Sequence, residues 1–323
     1  MTRFGYALSC EEHPPAALVR YGRLAEEAGF DFAMASDHFH PWTDRQGNSA
    51  FVWAVLGALS QATERIFLGT GVTCPTVRIH PAIVAQAAAT TAAMAPGRFW
   101  LGVGTGEALN EHVLGDAWPS ARVRREMLEE AVAVIRDLWR GEVTHHRGRH
   151  YTVDGARIYT LPEEPPPVYV AASGPRATAL AARIGDGLVS LVPAAETIER
   201  FDSAGGQGKP RIGQVEVCWA EDEEQAVRTA HEWWPQTALG GELTQVLPMP
   251  AHFEQAVATV GPEDVAEKVA CGPDPDVHAR AVQEFVDAGY DHVYVHQVGP
   301  GQEQFLSFYA REVLPRLREA VPA

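Results

Sequence analysis

The chain has 323 residues, of which 46% are apolar and 21% charged, as in an ordinary globular enzyme. Its net charge of -16 at pH 7 argues against non-specific nucleic-acid binding, which needs a basic surface. The four cysteines form no CxxC pair, and the first residues lack the apolar segment of a signal peptide. These features predict a cytoplasmic protein with reduced thiols, no membrane partner and no nucleic-acid partner.

The chain alternates predicted strands and helices along its whole length. Pro14 and Pro15 begin a helix with one apolar face, Gly29 ends it, and a strand follows at once. The same succession of helix, glycine and strand returns at Gly289. The eight predicted strands cover residues 4–9, 30–35, 66–72, 98–103, 166–172, 188–191, 211–219 and 292–296. Because a helix follows each strand, the sequence predicts an α/β protein, a single (β/α)8 TIM barrel over residues 1–323.

Two segments do not fit this alternation. Residues near 141–160 alternate around Arg147-Gly148-Arg149, which predicts an inserted hairpin. Residues 233–262 have no clear period and contain several breaks, so they are interpreted as a long insertion that covers the mouth of the barrel.

The stretch from Ser36 to Trp42 places an acid, two histidines and a tryptophan directly after predicted strand two. Active sites of α/β barrels lie at the carboxyl ends of the strands. His38 exchanges protons near neutral pH, and Asp37 is placed to hold its ring. The alternative is a capped turn with solvated histidines.

Polar residues follow five of the predicted strands and should meet at one mouth. They are Glu11 after strand one; Asp37, His38 and Trp42 after strand two; Thr73 and Cys74 after strand three; Glu107 and Asn110 after strand four; and Ser173, Gly174 and Arg176 after strand five. Glu107 is a second candidate acid or base if burial raises its pKa. Its alternative role is to interact with the dipole of the following helix.

Three further patterns allow more than one interpretation. The glycines at 102, 104 and 106 lack the spacing of a dinucleotide fingerprint and indicate close approach of the backbone to a flat ring or a phosphate. The turn at 171–176 is either a phosphate-binding turn or a simple helix start. His38 and His40, with His292 and His296, leave a metal-dependent barrel hydrolase as a weaker alternative, although no metal ligand set is predicted.

Several motifs together resemble one known family. They are Ser36-Asp37-His38-Phe39-x-Pro41-Trp42, Gly69-Thr70-Gly71-Val72-x-Cys74-Pro75-Thr76, the run from Gly102 to Glu111, Trp118-Pro119, and Ala171-Ala172-x-Gly174-Pro175. The sequence, from about residue 4 to 317, resembles the luciferase-like flavin and deazaflavin oxidoreductases. Within them it is similar to the branch of the deazaflavin-dependent glucose-6-phosphate dehydrogenases.

The resemblance implies a homodimeric oxidoreductase that uses coenzyme F-420 (F420, an 8-hydroxy-5-deazaflavin) for hydride transfer, with FMN as the alternative. It implies that His38 and Glu107 form the acid–base pair, with Trp42 beside the substrate and Glu11 near the pocket. Which of the pair takes the substrate proton stays open. It also implies a cis peptide at Gly71–Val72. The residues implied to line the coenzyme are Asp37, Gly71, Val72, Cys74, Glu107, Asn110, Ala172, Ser173, Gly174 and Arg176.

The substrate half departs from the sugar-phosphate enzymes that this branch is named for. Lys209 and Lys268 are the only lysines, and neither is predicted to lie in a strand-to-helix loop. Arg78 and Arg176 are predicted nearest the mouth, where they suit the coenzyme's own phosphate and acidic tail. Arg280 or another arginine is the alternative to these lysines. Trp42, Trp233, Trp234 and Phe253 offer an apolar wall, with a place in the core or an interface as the alternative. We therefore expect an alcohol or carbonyl substrate rather than glucose 6-phosphate, because a buried phosphate dianion needs paired cations.

Overall fold

The computed structural model describes residues 2–320, and its main sheet is a closed parallel barrel. The barrel strands, numbered one to eight, are Arg3–Leu8, Phe32–Ala35, Phe67–Thr70, Phe99–Val103, Val168–Ala171, Gly187–Ser190, Arg211–Cys218 and His292–Gln297. Each strand pairs in parallel with the next, and strand eight pairs with strand one. The predicted (β/α)8 TIM barrel is confirmed.

Helices cover the outside of the barrel and follow every strand. They are Pro15–Ala28, Val52–Ala62, Pro81–Met94, Ala108–Glu111, Ala121–Leu138, Pro175–Ile184, Ala195–Phe201, Glu223–Trp233, Leu243–Val246, Pro250–Ala256, Pro262–Ala266, Pro275–Asp287, Gln302–Phe308 and Leu314–Ala320. Proline at the first turn starts six of them, since its missing N–H is not needed there. Within residues 2–320, no helix has the length and apolar character needed to cross a membrane.

Large side chains fill the inside of the barrel, so the strands enclose a packed core rather than a channel. Phe32, Trp100, Tyr169 and Tyr294 belong to one buried cluster there. Glycine on neighbouring strands makes room for them, because a Cβ at Gly69 would collide with the Trp100 ring. This packing leaves the carboxyl ends of the strands as the place where a cavity opens.

Both insertions contain regular structure. In the first, Thr144–Arg147 pairs antiparallel with Thr152–Ala156 around the turn that the sequence predicts. In the second, short helices form at Leu243–Val246 and Pro250–Ala256. The Phe253 ring packs edge-on against Trp42, with ring centres 5.2 Å apart. The second insertion therefore forms part of the wall above the barrel mouth.

Candidate active site

A cavity of about 1580 Å³ opens at the carboxyl ends of the strands. The structure places every residue that was assigned to catalysis, coenzyme or substrate along this cavity. They are Glu11, Asp37, His38, Trp42, Gly71, Val72, Cys74, Glu107, Asn110, Ala172, Ser173, Gly174 and Arg176. Five strand ends thus contribute to one site, as the barrel topology requires.

His38 lies between two carboxyl groups. Its Nε2 is 3.3 Å from Glu11 Oε1 and 3.5 Å from Glu107 Oε2. Its Nδ1 is 3.2 Å from the carbonyl oxygen of His40, an acceptor, so Nδ1 carries a hydrogen. An unprotonated Nε2 would then turn its lone pair toward carboxylate oxygens. The arrangement therefore favours one proton shared among His38, Glu11 and Glu107.

The carboxyl group of Glu107 is adapted to exchange a proton near neutral pH. Burial raises the pKa of Glu107 to about 7; His38 acts in the opposite direction, and the carboxylates of Glu11 and Glu111 add to the rise. The side chain is 31% exposed, and that exposed part faces the cavity. Glu107 precedes the short helix Ala108–Glu111 but makes no capping hydrogen bond with it. The site geometry thus favours acid–base chemistry over the alternative role at a helix end.

Asn110 ties the loop after strand two to the loop after strand four. Its Oδ1 accepts hydrogen bonds from the backbone N–H groups of Phe39 at 2.9 Å and His40 at 3.3 Å. Its Nδ2 donates to Glu107 Oε2 at 3.3 Å. One buried amide therefore holds His38 and Glu107 at a fixed separation.

Asp37 does not hold the His38 ring, and this interpretation was wrong. Asp37 Oδ2 accepts from Thr73 Oγ1, and Oδ1 accepts from Arg78 Nη2, both at 2.7 Å. Arg78 also lies 3.6 Å from Glu111. Successive residues of an extended segment point in opposite directions, so Asp37 turns toward this ion cluster while His38 enters the cavity. The placement of Arg78 at the mouth was wrong too, because both carboxylates hold it behind the site.

The wall beside His38 is made of small residues that suit a flat ring. The Gly71–Val72 peptide is cis, as predicted, and both residues line the cavity together with Gly104. A Cβ at Gly104 would come within 2.8 Å of Val72 Cγ2. Gly106 has a φ of 78°, which glycine adopts without strain. Backbone rather than side chains is therefore presented to a bound ring, and this part of the site fits a deazaflavin or flavin.

The cationic residues along the cavity differ in part from the expectation. Lys209 lies away from the mouth, where its Nζ donates to the carbonyl oxygens of Ala182 and Gly185. Lys268 was misplaced: it follows strand seven, lines the cavity and is exposed. Arg280 and Arg176 line the cavity as well, and both are exposed; Arg176 lies where the helix Pro175–Ile184 begins.

The four histidines considered for a metal site do not come together as a ligand set. His40 Nδ1 is 2.9 Å from the Leu109 carbonyl oxygen, and His292 Nδ1 contacts Asp291. Among residues 2–320, no group of three or more histidine, cysteine or carboxylate side chains has metal-binding geometry. The weaker hydrolase alternative therefore receives no support from the geometry.

Sequence reasoning missed a second carboxylate–histidine pair, Glu12 and His296. Glu12 Oε2 lies 2.6 Å from His296 Nε2, and both residues are buried. The only signal was a second glutamate directly after Glu11, in the turn that follows strand one. Only Glu11 reaches the His38 cluster.

Comparison with known proteins places the chain in a family. The family model described as luciferase-like monooxygenase matches residues 1–292. The chain belongs to this family, and the recognition made from its motifs is confirmed.

The chain is also similar along its whole length to individual relatives. It is 39% identical over 334 residues to the F420-dependent glucose-6-phosphate dehydrogenase of Microbacterium testaceum (strain StLB037), and the match covers 98% of both chains. Among solved structures, an F420-dependent secondary alcohol dehydrogenase in complex with an F420-acetone adduct has a TM-score of 0.91 and 31% identity, covering 98% of this chain and 99% of that one. The F420-dependent tetrahydromethanopterin reductase of Methanopyrus kandleri has a TM-score of 0.80 and 22% identity, covering 98% and 99%, and shows the shared fold.

Proposed function

We propose that this protein is an F420-dependent oxidoreductase that transfers hydride between the coenzyme and an alcohol or carbonyl substrate. The observation that carries the proposal is the cluster of His38, Glu11 and Glu107 beside the backbone wall at Gly71 and Val72. The F420-dependent enzymes among its relatives and structural neighbours support the same coenzyme. When bound, F420 supplies a ring carbon that accepts or returns the hydride.

The residues of the chain supply the proton half of the reaction. When an alcohol is oxidised, its hydroxyl proton passes to the His38–Glu107 pair while the C–H bond gives up its hydrogen as hydride. Glu11 holds the histidine in place, and its Oε2 accepts hydrogen bonds from Ser9 and Ser36. Trp42 lies against the His38 ring with centres 5.0 Å apart, so it closes one side of the substrate position.

A binding titration tests the coenzyme directly. We expect F420 to bind with a change in its visible absorbance and to support turnover, and FMN to bind much more weakly. An FMN-dependent luciferase-like monooxygenase would instead bind FMN and consume oxygen. Tight FMN binding without F420 binding would overturn the proposal.

We further propose that the substrate is neutral or weakly charged. Glu11, Glu107 and Glu216 line the cavity, and their carboxyl groups disfavour a phosphate dianion beside them. Lys268 and Arg280 are the available cations on the side of strand seven, but both are exposed to solvent. An ion pair at such positions contributes little. The names of the close relatives favour glucose 6-phosphate, so this part of the proposal needs its own test.

Steady-state assays with F420 decide the substrate class. We expect secondary alcohols such as 2-propanol to give specificity constants above that of glucose 6-phosphate. Lys268→Ala should then leave alcohol turnover unchanged. A specificity constant for glucose 6-phosphate far above those of the alcohols, lost in Lys268→Ala, would contradict the expectation.

We also propose a homodimeric, cytoplasmic enzyme. The helix Pro81–Met94 carries alanine and other apolar residues on all sides, and its Ile83 is 56% exposed. Phe51, at the start of the neighbouring helix, is exposed to the same extent. These residues supply an apolar surface for a second copy of the chain. Sedimentation equilibrium measures the mass of the protein in solution, and a mass of one chain would contradict the dimer.

A further inference from the structure

Two polar side chains of strand seven line the cavity and have no role in the proton transfer described above. Gln214 and Glu216 are both half-buried, and the buried Val215 lies between them. Successive side chains of a strand point to opposite faces, so Gln214 and Glu216 share one face with Ile212, which belongs to the buried cluster inside the barrel. The two polar residues therefore lie above that cluster, at the floor and side of the cavity.

Strand seven lies across the barrel from the backbone wall at Gly71 and Val72. In a closed barrel of eight strands, strands three and seven are four positions apart in either direction. The Tyr294 hydroxyl lies between the two sides. It is 3.7 Å from the position that a Cβ at Gly71 would take, and it contacts Gln214. A substrate that faces a ring held against this wall therefore has strand seven on its other side.

The Gln214 amide has one free end. The Tyr294 hydroxyl makes one hydrogen bond within residues 2–320, to Gln214 Oε1 at 2.5 Å. A phenol donates its hydrogen to an amide oxygen and not to an amide nitrogen, so this contact fixes the orientation of the amide. Gln214 Nε2 makes no hydrogen bond within the same residues and keeps accessible surface. Its N–H groups are therefore open to a bound molecule.

Glu216 supplies an acceptor beside this donor. Trp234 Nε1 donates to Glu216 Oε1 at 2.7 Å, and Thr237 Oγ1 donates to Oε2 at 2.5 Å. These bonds fix the carboxyl group, and each of its oxygens keeps a lone pair for another donor. Because Gln214 and Glu216 are two residues apart on one face, their Cα atoms are about 6.5–7 Å apart. A donor and an acceptor thus stand side by side in the cavity.

We propose that Gln214 and Glu216 bind a hydroxyl group of the substrate on a carbon other than the one that reacts. A hydroxyl oxygen accepts from the Gln214 amide, and its hydrogen is donated to Glu216. An anionic group is disfavoured beside the Glu216 carboxyl group, and an apolar group would leave the amide nitrogen without a partner. The preferred substrates are then hydroxyketones and polyols rather than simple ketones and alcohols. This inference rests on the proposed F420-dependent activity and names two specificity-determining residues for it.

Hydroxyketones and their methyl ethers test the inference with reduced F420. Hydroxyacetone is compared with methoxyacetone, and 4-hydroxy-2-butanone with 4-methoxy-2-butanone, because a methoxy oxygen accepts a hydrogen bond but donates none. We expect at least one hydroxyketone to exceed its ether by about 10-fold in the specificity constant, mainly through KM. Ratios near one for both pairs would refute the proposal.

Two substitutions assign the effect to the two residues. Glu216→Gln should lower the ratio between the hydroxyketone and its ether. Gln214→Glu keeps the acceptor for Tyr294 but loses the free N–H, so it should lower the specificity constants of both compounds relative to acetone. Gln61→Glu makes the same change on an exposed outer helix and should leave these values as they are. A hydroxyl preference that survives Glu216→Gln, or constants that Gln214→Glu leaves unchanged, would contradict the assignment.

A second measurement does not depend on turnover. The side-chain amide of Gln214 gives a nitrogen–proton NMR signal that Gln214→Glu removes and thereby identifies. In the protein bound to reduced F420, 1,2-propanediol should shift this signal more than 2-propanol does, and the Gln61 signal should stay in place. Equal shifts with the two alcohols, or none, would overturn the inference. If F420 fails to bind the wild-type chain, the proposed function fails; if F420 binds and the hydroxyketone preference is absent, only this inference fails.

Discussion

Replacing Glu107 with glutamine is expected to reduce turnover by about 10²–10⁴-fold, the usual contribution of a general acid or base. Coenzyme affinity should change far less, because glutamine keeps the shape and polarity of the side chain. His38→Ala should behave in the same way. Near wild-type turnover in both variants would contradict the acid–base role of Glu107 and His38. Stopped-flow kinetics measure the hydride-transfer step separately from product release, so they show which of the two steps a substitution slows.

The pH dependence of turnover, compared between the wild type and Glu107→Gln, shows which group titrates. Because Glu107 is protonated below about pH 7, alcohol oxidation in the wild type should rise as the pH passes through that range. Carbonyl reduction should fall over the same range. Glu107→Gln should abolish this inflection; an inflection that persists would assign it to another group of the cluster.

Glu107→Gln is also expected to stabilise the fold. The pKa of Glu107 is about 7 in the native protein against 4.5 for the free side chain, so the native state binds the proton more tightly than the unfolded state. Stability is therefore lost as the pH rises from about 4.5 to 7. At pH 8 we expect Glu107→Gln to raise the free energy of unfolding by about 1–3 kcal/mol, and by less at pH 5.5. Urea titrations at the two pH values measure the difference, and equal gains would contradict it.

The second large effect is expected at Arg78. Its side chain is 7% exposed, and the side chains of Asp37 and Glu111 are 0% exposed. Arg78→Met would leave two buried carboxylates without a cation, and we expect a loss of about 3–5 kcal/mol in the free energy of unfolding. Arg78→Lys should lose less, because lysine keeps the charge but not the planar fork.

An exposed pair provides the control for this prediction. Arg23 and Glu27 form an i,i+4 ion pair with both side chains 54% exposed. Arg23→Ala should change stability by less than about 0.5 kcal/mol. If Arg78→Met and Arg23→Ala gave similar small losses in the free energy of unfolding, the buried cluster of Arg78, Asp37 and Glu111 would not be a source of stability.

The sequence was sufficient to predict the fold and to predict that the candidate residues line one cavity. Strand–helix alternation with glycine joints predicts the barrel, and polar residues that end strands must meet at its mouth. The orientation of individual side chains was harder to predict. Asp37 lines the cavity but pairs with Arg78 rather than with His38, and Arg78 does not line the cavity, because the direction of a side chain after a strand end depends on neighbouring loops. Glu12 and His296 are 284 residues apart, and no local pattern joins them.

The site is divided between two sides of the barrel, which has a consequence for laboratory evolution. The proposed proton transfer uses Glu11, His38 and Glu107, which follow strands one, two and four. Glu216 and His296, on strands seven and eight, line the same cavity without taking part in that transfer. Libraries randomised on the later strands should therefore yield catalysts with new ketone or alcohol preferences while the proton-transfer machinery stays intact. Natural divergence within the same scaffold has the same route available.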